Sequence, residues 1–259
     1  MMPTSSGGRI VQKPDSVGGI VAFVGIIIVI SSVILSGLSE GLRERKELNV
    51  ALDKKRNILS AFGIELAGNS PADIVKAEYA KVEATVVDSR GEATDGDVAV
   101  FDTASKMIDQ FKKLNSGNET DCGFPVYKLK DGDTVVAYAV PIVGQGLWSK
   151  MLGYVSLEND LNTIRGLSFY SQGETPGLGA EVEKAWFRNN FVGKKVLDAE
   201  GAVQGVKVVK GKAKDLGQGD ELLHMVDGIS GATITCNGVT EMFETYFQAY
   251  EPYFSKLRK

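Results

Sequence analysis

A short glycine-rich segment carries the groups that are best suited to hold a phosphate. Residues Asp227–Thr233 read DGISGAT and directly precede a helix predicted from the apolar pattern that follows. The small residues Gly228, Gly231 and Ala232 would let another molecule approach the backbone closely. The free N–H groups and the dipole at the start of the helix favour a negative charge. An alternative interpretation is an ordinary turn whose Asp, Ser and Thr side chains cap the helix.

A second glycine-rich segment, Gly173–Gly179, reads GETPGLG and lies between a predicted strand and a predicted helix. Taken alone, Thr175, Pro176 and Gly177 form a turn in which proline fixes φ and glycine supplies a positive φ. This segment alone therefore indicates no function, and we interpret it together with the first segment.

Together, the two segments resemble the FMN-binding domain shared by the C subunit of the sodium-translocating NADH:quinone reductase and the G subunit of the related Rnf complex. The first segment resembles the flavinylation motif, in which FMN is joined through its phosphate to a threonine hydroxyl, here Thr233. The resemblance implies that Asp227 and Gly228 belong to the motif presented to a flavin transferase. It also implies that the cofactor is surrounded by Ser230, Gly231 and Ala232.

In that family the second segment lies against the flavin, since a glycine-rich backbone can reach a flat ring that side chains would block. The resemblance therefore implies flavin contacts from Glu174, Thr175, Leu178 and Gly179. Residues Gly146–Tyr154 resemble the Gly-Leu-Trp-Ser stretch of the quinone reductase C subunit, which favours that subunit over the Rnf one. Within this stretch, Trp148 is either a flavin contact or a core or interface aromatic residue.

A membrane anchor is predicted at Val17–Leu38, which contains no charged residue and as a helix would span the roughly 30 Å hydrocarbon layer. It is too long for the apolar region of a signal peptide. It follows an N-terminal tail at 1–16. After it, apolar residues recur at helical spacing and predict an amphipathic stalk over 39–63; these residues are Leu42, Leu48, Leu52, Leu59 and Phe62.

Two observations disagree on which side of the membrane the large domain lies. The tail carries only Arg9 and Lys13, whereas six basic residues follow the anchor, so charge counting would place the large domain in the cytoplasm. The resemblance implies the opposite, because the transferase that attaches FMN works on the outer face of the bacterial inner membrane. We expect a single-pass protein with a periplasmic domain, since long domains are often translocated regardless of their charge.

The remaining pattern predicts an α+β fold, a mainly antiparallel sheet with flanking helices. Residues 64–124 form a mixed helix and strand part and residues 125–259 the FMN-binding part. A strand is predicted at 82–87. Strands of one sheet are predicted at 126–130, 135–140, 154–157, 164–170 and 206–209, with an Asp-Gly turn between the first two of these. Helices are predicted at 72–81, 103–114 and 180–191. A last helix carries an apolar face of Val239, Met242, Phe243, Tyr246, Phe247, Tyr250, Phe254 and Leu257.

Composition and missing motifs exclude several other functions. A net charge of −4 argues against a nucleic-acid partner, and one histidine with two cysteines cannot supply a four-ligand Cys/His zinc site. We predict no metal ligand. The sequence lacks a P-loop and a Gly-x-Gly-x-x-Gly dinucleotide motif. A hydrolase built from Asp227, Ser230 and His224 would lack the usual Gly-x-Ser-x-Gly nucleophile motif. We predict no catalytic residue.

The resemblance implies an electron-transfer component of the six-subunit sodium-pumping complex, with the B, D and E subunits as its main partners. Electrons would arrive from an iron–sulfur centre in neighbouring subunits and leave toward a second FMN on the B subunit, coupled to sodium export. The chain itself would not bind NADH. Two alternatives stay open, namely the Rnf G subunit and a cofactor-free membrane-anchored assembly or binding domain in which Thr233 only caps a helix.

Overall fold

One long helix, α1 (Val17–Ala61), contains both the predicted anchor and nearly all of the predicted stalk. The computed structural model describes residues 17–68, 70–118 and 122–258. The tail at 1–16, with Arg9 and Lys13, lies outside these residues. Among them, α1 is the only helix long and apolar enough to cross a membrane. The chain divides into two compact units after Ala51.

The second unit is built on a six-stranded sheet in which every neighbouring pair is antiparallel. Its strands are β1 (Val82–Val87), β2 (Ala93–Thr94), β3 (Phe124–Asp131), β4 (Thr134–Gln145), β5 (Lys150–Glu158) and β6 (Ile164–Ser171). They lie in the order β2-β1-β3-β4-β5-β6. Because β1 pairs with β3, the predicted parts 64–124 and 125–259 share one sheet. The α+β prediction is confirmed.

Helices flank the sheet, and the structure refines one predicted helix and corrects one predicted strand. The helices after α1 are α2 (Ala72–Tyr79), α3 (Val98–Phe101), α4 (Ala104–Asn115), α5 (Ala185–Arg188) and α6 (Thr233–Leu257). The helix predicted at 180–191 is broken, because Lys184 is extended and separates a 3-10 turn at Gly179–Glu183 from α5.

The strand predicted at 206–209 does not join the main sheet. Only β7 (Lys207–Val208) forms, and it pairs in parallel with β8 (Met225–Val226). The N–H group of Val208 donates to the Thr240 hydroxyl of α6 at 3.0 Å. The attachment of this strand to α6 explains why a β-branched pattern alone misplaced it.

Helix α6 lies unusually close to β4. A Cβ atom on Gly238 would overlap the carbonyl oxygen of Gln145, and a Cβ on Gly144 would lie 2.9 Å from the carbonyl oxygen of Gly238. The predicted apolar face of α6 is buried, as expected for a core helix, except for Leu257, which is exposed. The glycine contact places the second turn of α6, directly after the Thr233 turn, beside the end of β4.

On the opposite face of the sheet, the last turns of α1 are held by side chains of β5 and β6. The Ser156 hydroxyl of β5 donates to the carbonyl of Ala61 at 2.5 Å, and Nε of Arg165 of β6 donates to the carbonyl of Phe62 at 2.8 Å. Carbonyls at a helix C-terminus lack helical partners. The sheet satisfies the carbonyl of the last helical residue, Ala61, while the three carbonyls before it accept from backbone N–H groups just beyond the helix.

A buried carboxylate, Asp102, joins this end of α1 to the sheet. It accepts hydrogen bonds from the hydroxyl groups of Tyr127 and of Tyr154, the latter at 2.9 Å. Nζ of Lys54 lies 3.0 Å from the same carboxylate. Burial raises the pKa of Asp102, and Lys54 and the tyrosine hydroxyls oppose this shift only in part.

We expect Asp102→Asn to lower the free energy of unfolding by about 2 kcal/mol, because hydrogen bonds to a buried charged group are lost while the shape is kept. The measurement is chemical denaturation of the full chain in detergent. Asp109→Asn is the matched control, since among the described residues Asp109 pairs only with Lys113, and such partly exposed pairs contribute little. Equal stabilities of the two variants would contradict a structural role for the buried cluster.

Candidate functional site

The first turn of α6 is an uncapped helix N-terminus. Thr233 is the first helical residue, and Ala232 occupies the N-cap position without a side-chain hydrogen bond. Gly231 has a φ of 77°, which only glycine adopts at little cost. No side chain of the segment caps α6, so the capping bonds of the alternative interpretation do not form. The Thr233 side chain is exposed and its hydroxyl makes no hydrogen bond to a described residue.

Asp227 fixes the segment that precedes this turn. Its carboxylate accepts a hydrogen bond from the backbone N–H of Ala213 at 2.8 Å and pairs with Nζ of Lys212 at 2.8 Å. Burial alone would raise the pKa of Asp227, but these hydrogen bonds outweigh it and lower the pKa. His224 instead faces the carbonyl of Gly205, so the residues of the hypothetical hydrolase do not form a relay.

Two cavities meet at Thr233. The larger, which we call the lysine cavity, measures about 440 Å³ and is lined by Lys210, Lys212, Ser230 and Asn237 among others. The smaller, which we call the tryptophan cavity, measures about 250 Å³. Its wall includes Leu147, Trp148, Leu178 and Ile234. Thr233 and Gly231 line both cavities, so a group attached to Thr233 has access to either one.

The structure brings the two glycine-rich segments together. A Cβ atom on Gly231 would lie 2.8 Å from Cδ2 of Leu178, and one on Gly179 would lie 2.7 Å from Oγ1 of Thr235. The predicted residues that line the tryptophan cavity are Glu174, Thr175, Leu178, Gly179, Gly231, Ala232 and Thr233. Gly228 and Ser230 line the lysine cavity, whereas Asp227 lines neither.

Trp148 is not a core residue, because its exposed fraction is 70%. Its side chain forms part of the open wall of the tryptophan cavity, next to Leu147. The exposed indole can therefore contact a bound planar group or a partner protein.

Glu174 is the only buried acidic side chain of the described residues at this site, with an exposed fraction of 6%. Its carboxylate accepts hydrogen bonds from the backbone N–H groups of Leu147 at 3.0 Å, Trp148 at 2.9 Å and Ser149 at 3.3 Å. It also accepts one from the hydroxyl of Thr235 at 2.5 Å. The carboxylate therefore connects the β4–β5 loop to the first turn of α6.

The pKa of Glu174 lies below the usual 4.5. Burial would raise it, but the hydrogen bonds from Thr235 and from the backbone of the β4–β5 loop stabilise the ionised form and prevail. A lowered pKa means that the stabilisation is complete above the pKa of the unfolded chain and is lost as the pH falls through the folded value.

We expect the stability advantage of the wild type over Glu174→Gln to be constant near neutral pH and to shrink as the pH falls below about 4.5. The measurement is the free energy of unfolding of both proteins from about pH 7 to about pH 3.5, which spans the ordinary titration range of a glutamate. Other acidic groups titrate in both proteins, so their contributions cancel in the difference. An advantage that does not change over this range would show that the ionised carboxylate is not what stabilises the loop.

Sequence reasoning missed several residues of the site. Leu147 lies inside the recognised stretch Gly146–Tyr154, although no role was assigned to it. Ile234 and Thr235 directly follow Thr233 and could have been included by extending that segment. Lys210 and Lys212 carry no such signal, because long-range contacts bring their loop to the site. These contacts are the Asp227 hydrogen bonds, the pairing of β7 with β8 and the bond from the Gly228 N–H to the carbonyl of Gly211.

Comparison with known proteins identifies the domain that contains this site. Residues 146–248 match the FMN-binding domain family. The C subunit of the Na⁺-translocating NADH-quinone reductase from Vibrio anguillarum is 38% identical over 256 residues, covering 94% of this chain and 96% of the relative. The same subunit from Vibrio vulnificus strain YJ016 is 36% identical over 255 residues with the same coverage. The Yersinia pestis protein is 32% identical over 260 residues, covering 96% of each chain.

Solved structures of this type of subunit share the fold. The crystal structure of the C subunit from Parabacteroides distasonis superposes with a TM-score of 0.68 at 31% identity, covering 83% of this chain and 97% of that one. The Shewanella oneidensis structure gives a TM-score of 0.65 at 29% identity, with 79% and 95% covered. Since these matches extend over most of its length, the chain belongs to the family of Na⁺-translocating NADH-quinone reductase C subunits and contains an FMN-binding domain.

Proposed function

We propose that this chain carries FMN joined by a phosphoester to the hydroxyl of Thr233 and transfers electrons within a sodium-pumping NADH:quinone reductase. The observation that carries the proposal is the position of Thr233. It is the exposed first residue of an uncapped helix, lies inside an FMN-binding domain and borders two cavities. The free N–H groups of such a helix end favour a phosphate.

The residues present fit FMN. The lysine cavity offers Lys210, Lys212 and Ser230 to the phosphate and the adjoining polar chain. The tryptophan cavity offers the faces of Trp148 and Leu178 to a flat ring. We assign the remaining contacts to Thr175, Gly179, Gly231 and Ala232. FMN, when bound, supplies the capacity to accept and release electrons, while these residues hold it and limit its contact with water.

The wider role follows from family membership. We infer that the chain is an electron carrier between redox centres of partner proteins, with the B, D and E subunits as the main partners, and that sodium export belongs to the whole complex. Helix α1 would anchor it in the bacterial inner membrane with the domain on the periplasmic side, where a flavin transferase completes it. The full-length similarity to C subunits of the quinone reductase favours this assignment over the Rnf G subunit.

The test is the intact mass and in-gel fluorescence of the denatured full chain, produced with a flavin transferase and exported across the membrane. We expect a mass gain of one FMN less one water, mapped by peptide sequencing to Thr233. An unmodified mass would refute the covalent assignment and favour an anchored assembly or binding domain.

A further inference from the structure

We propose that Glu174 is a positioning residue, which does not contact FMN but fastens the loop Gly146–Ser149 to the flavin-bearing turn of α6. The inference rests on the proposed function and refines it, because the family resemblance implies a direct flavin contact for this residue. We call residues Gly146–Ser149 the tryptophan loop.

The hydrogen-bonding capacity of the carboxylate is the first argument. An ionised carboxylate has about four lone-pair positions for hydrogen bonds. Glu174 already accepts three bonds from the tryptophan loop and one from Thr235. No position remains for a hydrogen bond to the flavin ring.

The location of the four donors is the second argument. Three belong to the loop that carries Leu147 and Trp148, and the fourth belongs to Thr235, two residues after the proposed attachment site. The carboxylate thus joins two separate segments of the lining of the tryptophan cavity. The surrounding backbone is shaped to admit it, since a Cβ on Gly146 would lie 2.5 Å from Oε1 of Glu174 and a Cβ on Gly179 would lie 2.8 Å from Oε2.

The weak attachment of Trp148 is the third argument. Its side chain is mostly exposed, so packing contributes little to holding it in place. The loop that carries the indole is held by its three N–H bonds to Glu174 and by the bond from the Gly146 N–H to the carbonyl of Ser149 at 2.8 Å. Ser149 adds support, because its hydroxyl accepts a hydrogen bond from the backbone N–H of Gly173 at 2.6 Å. Without the carboxylate, the indole would lose its fixed distance from a ring attached at Thr233.

The first experiment tests the fastening without flavin. All proteins carry Thr233→Val. Amide hydrogen exchange of residues 147–149 is compared between this parent and the same protein with Glu174→Gln or Thr235→Ser added. The glutamine presents an NH₂ donor to backbone donors, so we expect exchange to rise by about tenfold to a hundredfold, the range that follows from losing hydrogen bonds to a charged group. Thr235→Ser retains its hydroxyl and should match the parent. Unchanged exchange in Glu174→Gln overturns the proposal.

The second experiment tests the effect on the flavin in the full chain with Thr233 intact. We expect Glu174→Gln to retain the covalent FMN but to change its visible circular dichroism and shift its midpoint potential. Thr235→Val, which removes one donor and leaves the charge, should cause a smaller shift in the same direction, and Thr235→Ser should restore the wild-type values. Faster exchange with an unaltered flavin spectrum and potential would overturn a positioning role.

The two experiments separate this inference from the proposed function. If the wild type itself carries no covalent FMN, the proposed function fails, while the exchange measurement still decides whether Glu174 fastens the loop. If the wild type is flavinylated but Glu174→Gln leaves both readouts unchanged, only the positioning inference fails.

Discussion

Replacing Thr233 with valine will abolish covalently bound FMN while the domain stays folded. The substitution removes the only oxygen at this position that can form a phosphoester. It should not disturb the fold, because the Thr233 side chain is exposed and forms no hydrogen bond with a described residue. We expect the in-gel flavin fluorescence to fall to background and the thermal midpoint to change by no more than a degree or two, as is usual for a surface substitution of about 0.5 kcal/mol or less.

Two matched variants make this prediction specific. Thr233→Ser keeps a hydroxyl at the same position and should retain the phosphoester. Ser230→Ala removes the neighbouring exposed hydroxyl of the same segment and should leave the attachment site at Thr233. Covalent FMN in Thr233→Val, or its mapping to Ser230, would refute the assignment of Thr233.

Gly238→Ala should destabilise the domain more than Asp102→Asn does. The new Cβ would overlap the backbone carbonyl oxygen of Gln145, and a backbone atom in a paired strand cannot move aside as a flexible side chain can. The cost should reach the upper end of the range for overpacked cores, about 3 kcal/mol. For a domain of this size, such a loss lowers the thermal midpoint by about 10 °C.

Thermal unfolding of the full chain in detergent measures this effect. Gly68→Ala is the matched control, since a Cβ there meets no atom within 4 Å and its backbone does not have a positive φ. We further expect Gly238→Ala to reduce FMN attachment, because the second turn of α6, directly after the Thr233 turn, must move away from β4. A midpoint within a degree of the control would mean that α6 and β4 are not held as closely as the glycine contact indicates.

The parts of this molecule that depend on local sequence could be predicted well. The hairpin of β3 and β4 has its turn at Gly132 and Asp133, where the Asp-Gly pattern placed it. The apolar face of α6 and the two glycine-rich segments were recognisable because each is continuous in sequence. Their adjacency was expected only through the family resemblance, and the contact between Gly231 and Leu178 now accounts for it.

The parts that depend on distant partners could not be predicted in the same way. Asp102 looks like an ordinary surface acid in the sequence, and its role depends on Lys54, Tyr127 and Tyr154 meeting it in the fold. The same holds for Glu174, whose donors lie in a loop before it and a helix long after it. Buried charges are stabilised by partners that a single sequence does not reveal.

The order of the strands has a consequence for how the domain is assembled. The consecutive strands β3 to β6 each pair with the next, so most of the sheet closes through short loops. Helix α6 instead returns to β4 from much later in the chain, which is a long-range contact with a larger entropic cost of closure. Since Thr233 and its turn are part of both cavities, neither cavity exists until α6 has docked. Most of the sheet can therefore form without α6, whereas the capacity to receive a cofactor arises only once this long-range contact has formed.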